Sequence, residues 1–399
     1  MKKNYSLLLL FAAVIFSSCR KDIYSTPAAN ISGSIPVNEA HPMKDSLTSI
    51  VHAYLAKGIP GVQVMVKNAD GLYIVNGGYA KVEDKTPMRD NMTAWLYSIT
   101  KTYTAVLALK LQEKGLLKLD TTADAYISPV IMKHIANGSK VTVRQLLNHT
   151  GGLPNHTEEP AYMMAQFNNP FNQPDLQKQL EYIYDKPSLF TPGTDFFYSN
   201  SGYALMQMVI EKVTGKTYNQ VLREEILLPF NLSRTYIGLS EDQLQILGFP
   251  NYYFERYNNG QLENVTKWNN SLAQKLGAYG GIAANGTDVI KFMEALMNGN
   301  IISNASLQQM RTWVQGKEST EPDYGLGLEY YGRYNDVTPT VTYGHEGDGL
   351  GGTTQIIYIP SKQTCLFITI NAGRQIFGEY LFKTTDFKID LCKYVASYQ

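Results

Sequence analysis

A hydroxyl and an amine three residues apart on one helix can serve as nucleophile and base, and Ser98-Ile99-Thr100-Lys101 supplies that pair. From Ser98 to Lys114 the chain has neither glycine nor proline, carries Val106, Leu107, Leu109 and Leu111, and then meets Gly115, a helix C-cap residue. A helix over this range puts Ser98 and Lys101 on one face. The competing reading makes Ser98 an ordinary N-cap. Lys101 fits that reading badly. A capping box wants Glu or Gln at this offset, and a cation in the first turn opposes the helix dipole at a cost of about 0.3–1 kcal/mol. The same dipole, together with burial, favours a neutral lysine that can accept the serine proton.

Tyr198-Ser199-Asn200 follows a Pro192-Gly193 turn and opens a second helical pattern, with Leu205, Met208, Val209 and Val213 on one side and Gly215 as its cap. A phenol whose ionised form is supported by lysine can relay protons to a leaving group, and an amide such as Asn200 can orient a carbonyl or the lysine. The alternative is a core tyrosine beside a turn asparagine. The third piece is Gly344-His345-Glu346-Gly347-Asp348, trailed by Gly349, Gly351 and Gly352. Glycines beside a strand allow a substrate backbone to approach closely; the alternative is a flexible glycine-rich loop with a surface histidine.

The elements that must position these groups are legible around them. Residues 38–57 carry Leu47, Ile50, Val51 and Leu55 at helical spacing and end at Gly58. Val62–Val66 and Leu72–Val75 flank Asn68-Ala69-Asp70-Gly71, which predicts a β-hairpin. A second hairpin is predicted from Thr353–Ile359 and Thr364–Ile370 around Pro360-Ser361-Lys362, followed by a helix from about Gly378 to Ala396. The stretch from about 120 to 300 is mostly helical pattern broken by Pro, Gly and Asn loops, and is read as an all-helical insert. The predicted fold class is α/β in the α+β sense: an antiparallel sheet built from N- and C-terminal segments, flanked by helices, with the helical subdomain inserted.

With 399 residues, 44% apolar and 12% aromatic, the chain can bury a large core. Lys plus Arg equals Asp plus Glu at 35 each, so no net field gathers nucleic acid or an acidic membrane surface. Lys2 and Lys3, the apolar run Leu7–Phe16 and Ser17-Ser18-Cys19 read as an export signal. Residues 1–18 form the signal peptide on this reading, Cys19 carries the lipid, 19–37 make a Ser/Pro/Asn-rich tether, and 38–397 form one catalytic domain. The run is too short to span a bilayer. Cys365 and Cys392 are read as buried thiols, with a disulfide as the alternative. Neither Cys-x-x-Cys nor His-Glu-x-x-His occurs, so no metal site and no cofactor is implied.

Taken together, the three motifs resemble the serine β-lactamase and DD-peptidase superfamily, in its class C-like branch of low-molecular-weight penicillin-binding proteins, D-aminopeptidases and esterases. The general pattern is Ser-x-x-Lys, Ser-Asp-Asn and Lys-Thr-Gly; here the second is Tyr-x-Asn and the third His-x-Gly, forms found in that branch. Gln145 to Pro154 and Tyr279-Gly280-Gly281-Ile282 add to the likeness, which runs over roughly residues 45 to 395. The resemblance implies a β-lactamase/transpeptidase-like fold and makes Ser98 the acylated nucleophile, Lys101 its proton acceptor, Tyr198 the acid/base shuttle and Asn200 a hydrogen-bond donor to substrate. It has His345 support Tyr198 and the substrate, with Gly347 in the same binding strand. It builds the oxyanion hole from the backbone N–H groups of Ser98 and Asp348. His149 falls in a segment that looks structural.

Departures from the family pattern bear on substrate. Class C β-lactamases carry lysine where His345 stands, and an imidazole of ordinary pKa, about 6.5, is mostly uncharged at neutral pH. Affinity for a substrate carboxylate should be weaker and β-lactam turnover slow. Glu346 replaces a frequent threonine and would repel a carboxylate, but strand alternation turns it away from the face shared by His345 and Gly347. The leading expectation is a hydrolase forming an acyl-enzyme on D-amino-acid peptides of the cell wall or on small esters and amides. A class C-like β-lactamase and a catalytically silent peptidoglycan- or protein-binding lipoprotein are the alternatives. Asn155–Asp175 and Tyr252–Asn270 are expected to form the cleft rim that sets specificity, and the 28 tyrosines fit aromatic contacts there or ordinary packing.

Overall fold

The computed structural model describes residues 35–331, 340–373 and 379–398; the leader, Cys19 and most of the tether lie outside them. Strands β1 (Gly61–Asn68) and β2 (Gly71–Lys81) pair antiparallel about the predicted turn, with Val64 opposite Val75. The turn closes because Gly71 adopts φ +111°, which a side chain would resist. Short strands β3 (Thr86–Pro87) and β4 (Thr93–Trp95) follow. Farther along come β5 (Thr235–Ile237), β6 (Tyr253–Phe254), β7 (Glu263–Asn264), β8 (Ile282–Asn285) and β9 (Glu329–Tyr330). The C-terminal strands are β10 (Tyr343–Asp348), β11 (Thr353–Ile359) and β12 (Thr364–Ile370).

Seven strands form the main sheet in the order β3-β2-β1-β12-β11-β10-β9, every pair antiparallel. The distant ends of the chain therefore meet at its centre, where Val62 pairs with Ile370. Period-two alternation sends side chains to two cores. Leu366, Ile368 and Ile370 pack with Leu47, Val51, Phe387 and Leu391 from the Lys44–Ala56 and Glu379–Ser397 helices. Phe367, Met65 and Ile356 face the other way, towards Val106, Leu109 and Val289 of the Thr100–Glu113 and Gly286–Met297 helices. Each such Leu, Ile or Phe contributes about 1.5–3 kcal/mol on leaving water.

The insert is not all-helical. β8 pairs with β4 and β5 in a separate three-stranded sheet, and β6 pairs with β7. The signal is weak because Ile282-Ala283-Ala284-Asn285 is four residues long and buried throughout, so neither alternation nor length distinguishes it from the end of a helix. The small sheet carries consequences for chemistry, since β4 leads into Ser98 and β8 follows Tyr279. Cys365 belongs to one core and Cys392 to the other, so the two thiols lie on opposite faces of the sheet. Among the described residues, no helix is long and apolar enough to cross a membrane.

Candidate active site

Ser98 lies in a 3-10 turn, Tyr97–Ile99, that runs directly into the Thr100–Glu113 helix. Its hydroxyl makes no capping bond; instead Oγ sits 2.8 Å from Lys101 Nζ. Lys101 is fully buried. Burial pushes its pKa well below the ordinary lysine value, with the Glu329 carboxylate opposing this. Nζ donates to the Tyr279 carbonyl at 2.9 Å and lies 4.9 Å from the Tyr198 ring centroid, 5.6 Å from that of Tyr203 and 5.7 Å from that of Tyr279. A neutral amine with one hydrogen held by a carbonyl can turn its lone pair to the serine hydroxyl.

Tyr198 and Asn200 stand where the Asn200–Thr214 helix begins. Burial raises the Tyr198 pKa well above 10; Glu329 adds to the rise and a hydrogen bond with Ser98 opposes it. The resting pair is thus a neutral phenol beside a neutral amine, and the phenol is not held in its ionised form. The two ends of the Asn200 amide are engaged differently. Asn155 Oδ1 accepts from the Asn200 N–H at 3.2 Å and from the Thr157 hydroxyl at 2.9 Å. Thr157 has spent its proton, so its oxygen accepts from Asn200 Nδ2 at 2.9 Å. Asn200 Oδ1 is buried and without a partner among the described residues, while Nδ2 keeps a second hydrogen beyond the one given to Thr157.

β10 carries the third motif. Glu346 N–H points off the outer edge of the sheet to Glu329 at 3.0 Å, whereas Gly349 N–H turns inward to Gly352 O at 2.9 Å. Ladder alternation therefore aims the Asp348 N–H outward on the same edge as Glu346. The face of β10 that carries Gly347 packs on the segment before Ser98: a Cβ on Gly347 would fall 2.1 Å from Leu96 O, and Thr354 Oγ1 donates to the same oxygen at 3.1 Å. Gly347 is glycine because its own chain, rather than a substrate, comes this close. Asp348 uses its side chain on Thr353 at 2.6 Å. Glu346 turns away as alternation requires and is ion-paired with Lys388 of the C-terminal helix.

His345 is fully buried and reaches Tyr198 only at 6.4 Å between ring centroids. Its Nδ1 lies 2.6 Å from the Glu346 carbonyl, which can only accept, so Nδ1 holds the proton and Nε2 accepts from Tyr324 O–H at 2.7 Å. Burial, then the nearby Lys101, push its pKa down to about 3. The residue expected to support Tyr198 instead holds Tyr324.

Two contributors escape the motif reading, Tyr324 and Glu329; the Tyr279 carbonyl and His149 lie in segments that carry the family likeness without a part in the chemistry it implies. Tyr324-Gly325-Leu326-Gly327 is a glycine-flanked signal in its own right. Gly327 has φ +68°, a Cβ there would meet Lys101 O at 2.7 Å, and its carbonyl accepts from Thr102 at 2.7 Å. His149, at φ +62°, accepts the Ser199 N–H on Nδ1 at 3.2 Å and packs 4.3 Å from the Tyr198 ring. Its segment holds the tyrosine in place.

With this geometry established, comparison with known proteins places the chain among relatives. The Beta-lactamase family description matches residues 47–378. The chain belongs to the β-lactamase family. It is a serine hydrolase. The β-lactamase-family chain is similar to penicillin-binding protein 4* of Bacillus subtilis, 26% identical over 77% of this chain and 67% of that one. It is also similar to the D-alanyl-D-alanine-carboxypeptidase/endopeptidase AmpH of Escherichia coli, 25% identical over 91% of this chain and 90% of that one. Among solved structures, a D-stereospecific amidohydrolase from Streptomyces superposes with a TM-score of 0.74 at 25% identity, covering 89% of this chain and 99% of that one.

Proposed function

We propose that the protein hydrolyses amide bonds of D-amino-acid peptides or amides through a Ser98 acyl-enzyme. The carrying observation is the 2.8 Å contact between Ser98 Oγ and a fully buried Lys101 that burial keeps neutral. The Ser98 proton passes to Lys101 Nζ as Oγ bonds to the carbonyl carbon. The oxygen that becomes anionic accepts from the Ser98 and Asp348 N–H groups. Tyr198 O–H protonates the departing nitrogen as the C–N bond breaks, and the lysine ammonium restores the phenol's proton. Water then reverses the sequence and releases the acid.

The substrate class rests on the relatives' names and on the cleft's charge. Neutral His345 supplies no cation for a substrate carboxylate, which argues against rapid β-lactam turnover. On the leader's composition, we read the enzyme as exported and held at the membrane through a lipid on Cys19. A fluorophosphonate probe should label the parent and not Ser98→Ala. Absence of serine-dependent labelling would favour the silent binding protein. A panel of D-alanyl peptides, D-amino-acid amides, p-nitrophenyl esters and a chromogenic cephalosporin then ranks substrates, and cephalosporin turnover matching that of the peptides would reverse the ranking.

A further inference from the structure

Tyr97, immediately before the nucleophile, holds φ +46° without being glycine, a conformation an L side chain keeps only when its surroundings enforce it. Those surroundings are specific. The ring is buried, and its hydroxyl donates to Asn269 Oδ1 at 3.0 Å. That oxygen also accepts the Gly351 N–H at 3.2 Å, which fixes the orientation of the amide. Two residues earlier, Trp95 Nε1 donates to Asn270 Oδ1 at 2.9 Å. Consecutive asparagines of the Thr266–Ala273 helix therefore grip alternate aromatic residues of the strand and turn that deliver Ser98.

The glycines after the third motif belong to the same device. A Cβ on Gly349 would fall 2.0 Å from Tyr97 Cε1, and one on Gly352 would fall 3.0 Å from its hydroxyl. They admit the tyrosine ring, and Asn269 then ties that ring to the turn that follows Asp348. One amide oxygen thus spans the two backbone segments whose N–H groups must converge on the same oxyanion.

We propose that Tyr97 and Asn269 are positioning residues for acylation: their hydrogen bond keeps the nucleophile turn and the end of β10 in register. This rests on the acyl-enzyme reading above, but its test reads a rate rather than the presence of labelling. In Tyr97→Phe only the hydroxyl is lost. The expected result is fluorophosphonate labelling of Ser98 slowed about ten- to a hundredfold per folded molecule, with Tm and the affinity of a non-covalent competitor unchanged. Asn269→Leu is the second variant and also loses the Gly351 bond; the double variant should be no slower than this single, because the Tyr97–Asn269 bond is already gone in it. Labelling within twofold of the parent in both singles would overturn the proposal, as would a lowered Tm with an unchanged rate per folded molecule. Loss of all labelling in Ser98→Ala with these rates unchanged would leave the acyl-enzyme reading standing and remove only this inference.

Discussion

Lys101 combines two facts that pull in opposite directions. It is buried without an ion-pair partner at hydrogen-bonding distance among the described residues, and it is the base the serine needs. Its folded pKa lies below the unfolded value of about 10.5, so the unfolded chain binds more protons below that pH and stability rises as pH climbs towards it. Lys101→Met should therefore melt above the parent at pH 7, with the gap closing as pH approaches 10.5, while kcat/KM drops by about 10²–10⁴-fold. Thermal melts across that range and steady-state assays check both halves; equal melting temperatures at pH 7 would contradict the buried neutral amine. Ser98 and Lys101 were legible because their spacing alone makes the pair, and because a lysine in a first helical turn conflicts with capping. Tyr324 and Glu329 were not, since their relation to the site exists only through contacts across the fold. For the same reason, nothing in the order Tyr-x-Asn reveals that Thr157 takes one of the amide's two N–H donors.

Strand β10 presents its outer edge to the cleft and its reverse face to the Glu379–Ser397 helix, and the charges are divided accordingly. Lys388, buried on that helix, pairs with Glu346, donates to Thr353 Oγ1 at 3.0 Å and lies 3.9 Å from Asp348. Glu346 therefore does not meet a substrate, and its replacement of threonine has a partner encoded forty-two residues downstream. Lys388→Met should cost about 3–5 kcal/mol by chemical denaturation, because it removes the buried ammonium that faces the Glu346 and Asp348 carboxylates. Adding Glu346→Gln should recover much of that loss, and a second substitution that brought no recovery would show that the two groups are not coupled. Hairpins and long helices were readable from alternation and turn chemistry. The short strands β4, β5 and β8 were not, because a three- or four-residue strand is defined by its neighbours rather than by its own pattern. The helical end of the stretch Tyr252–Asn270 packs behind the nucleophile, with Asn269 and Asn270 facing Tyr97 and Trp95.

At the scale of the molecule, burial of imidazoles sets the acid limit. His156 and His345 each have a pKa depressed to about 3, mainly by burial, against an unfolded value of about 6.5. Between those values the unfolded chain binds more protons, so this contribution is complete above pH 6.5 and is lost steadily as pH falls. Replacing both with Gln should flatten the dependence of Tm on pH between 6.5 and 4; an unchanged slope would mean that other groups govern acid unfolding. The sheet imposes a different limit. Because β1 finds its neighbour in β12, about three hundred positions later, every chain still under synthesis or passing through a pore lacks the strand that closes its centre. Until that last hairpin arrives, β1 and β2 expose an unpaired apolar border inviting association with other copies. Holding such a polypeptide unfolded until its final segment is delivered would spare it that exposure, and the order of its strands makes late completion unavoidable.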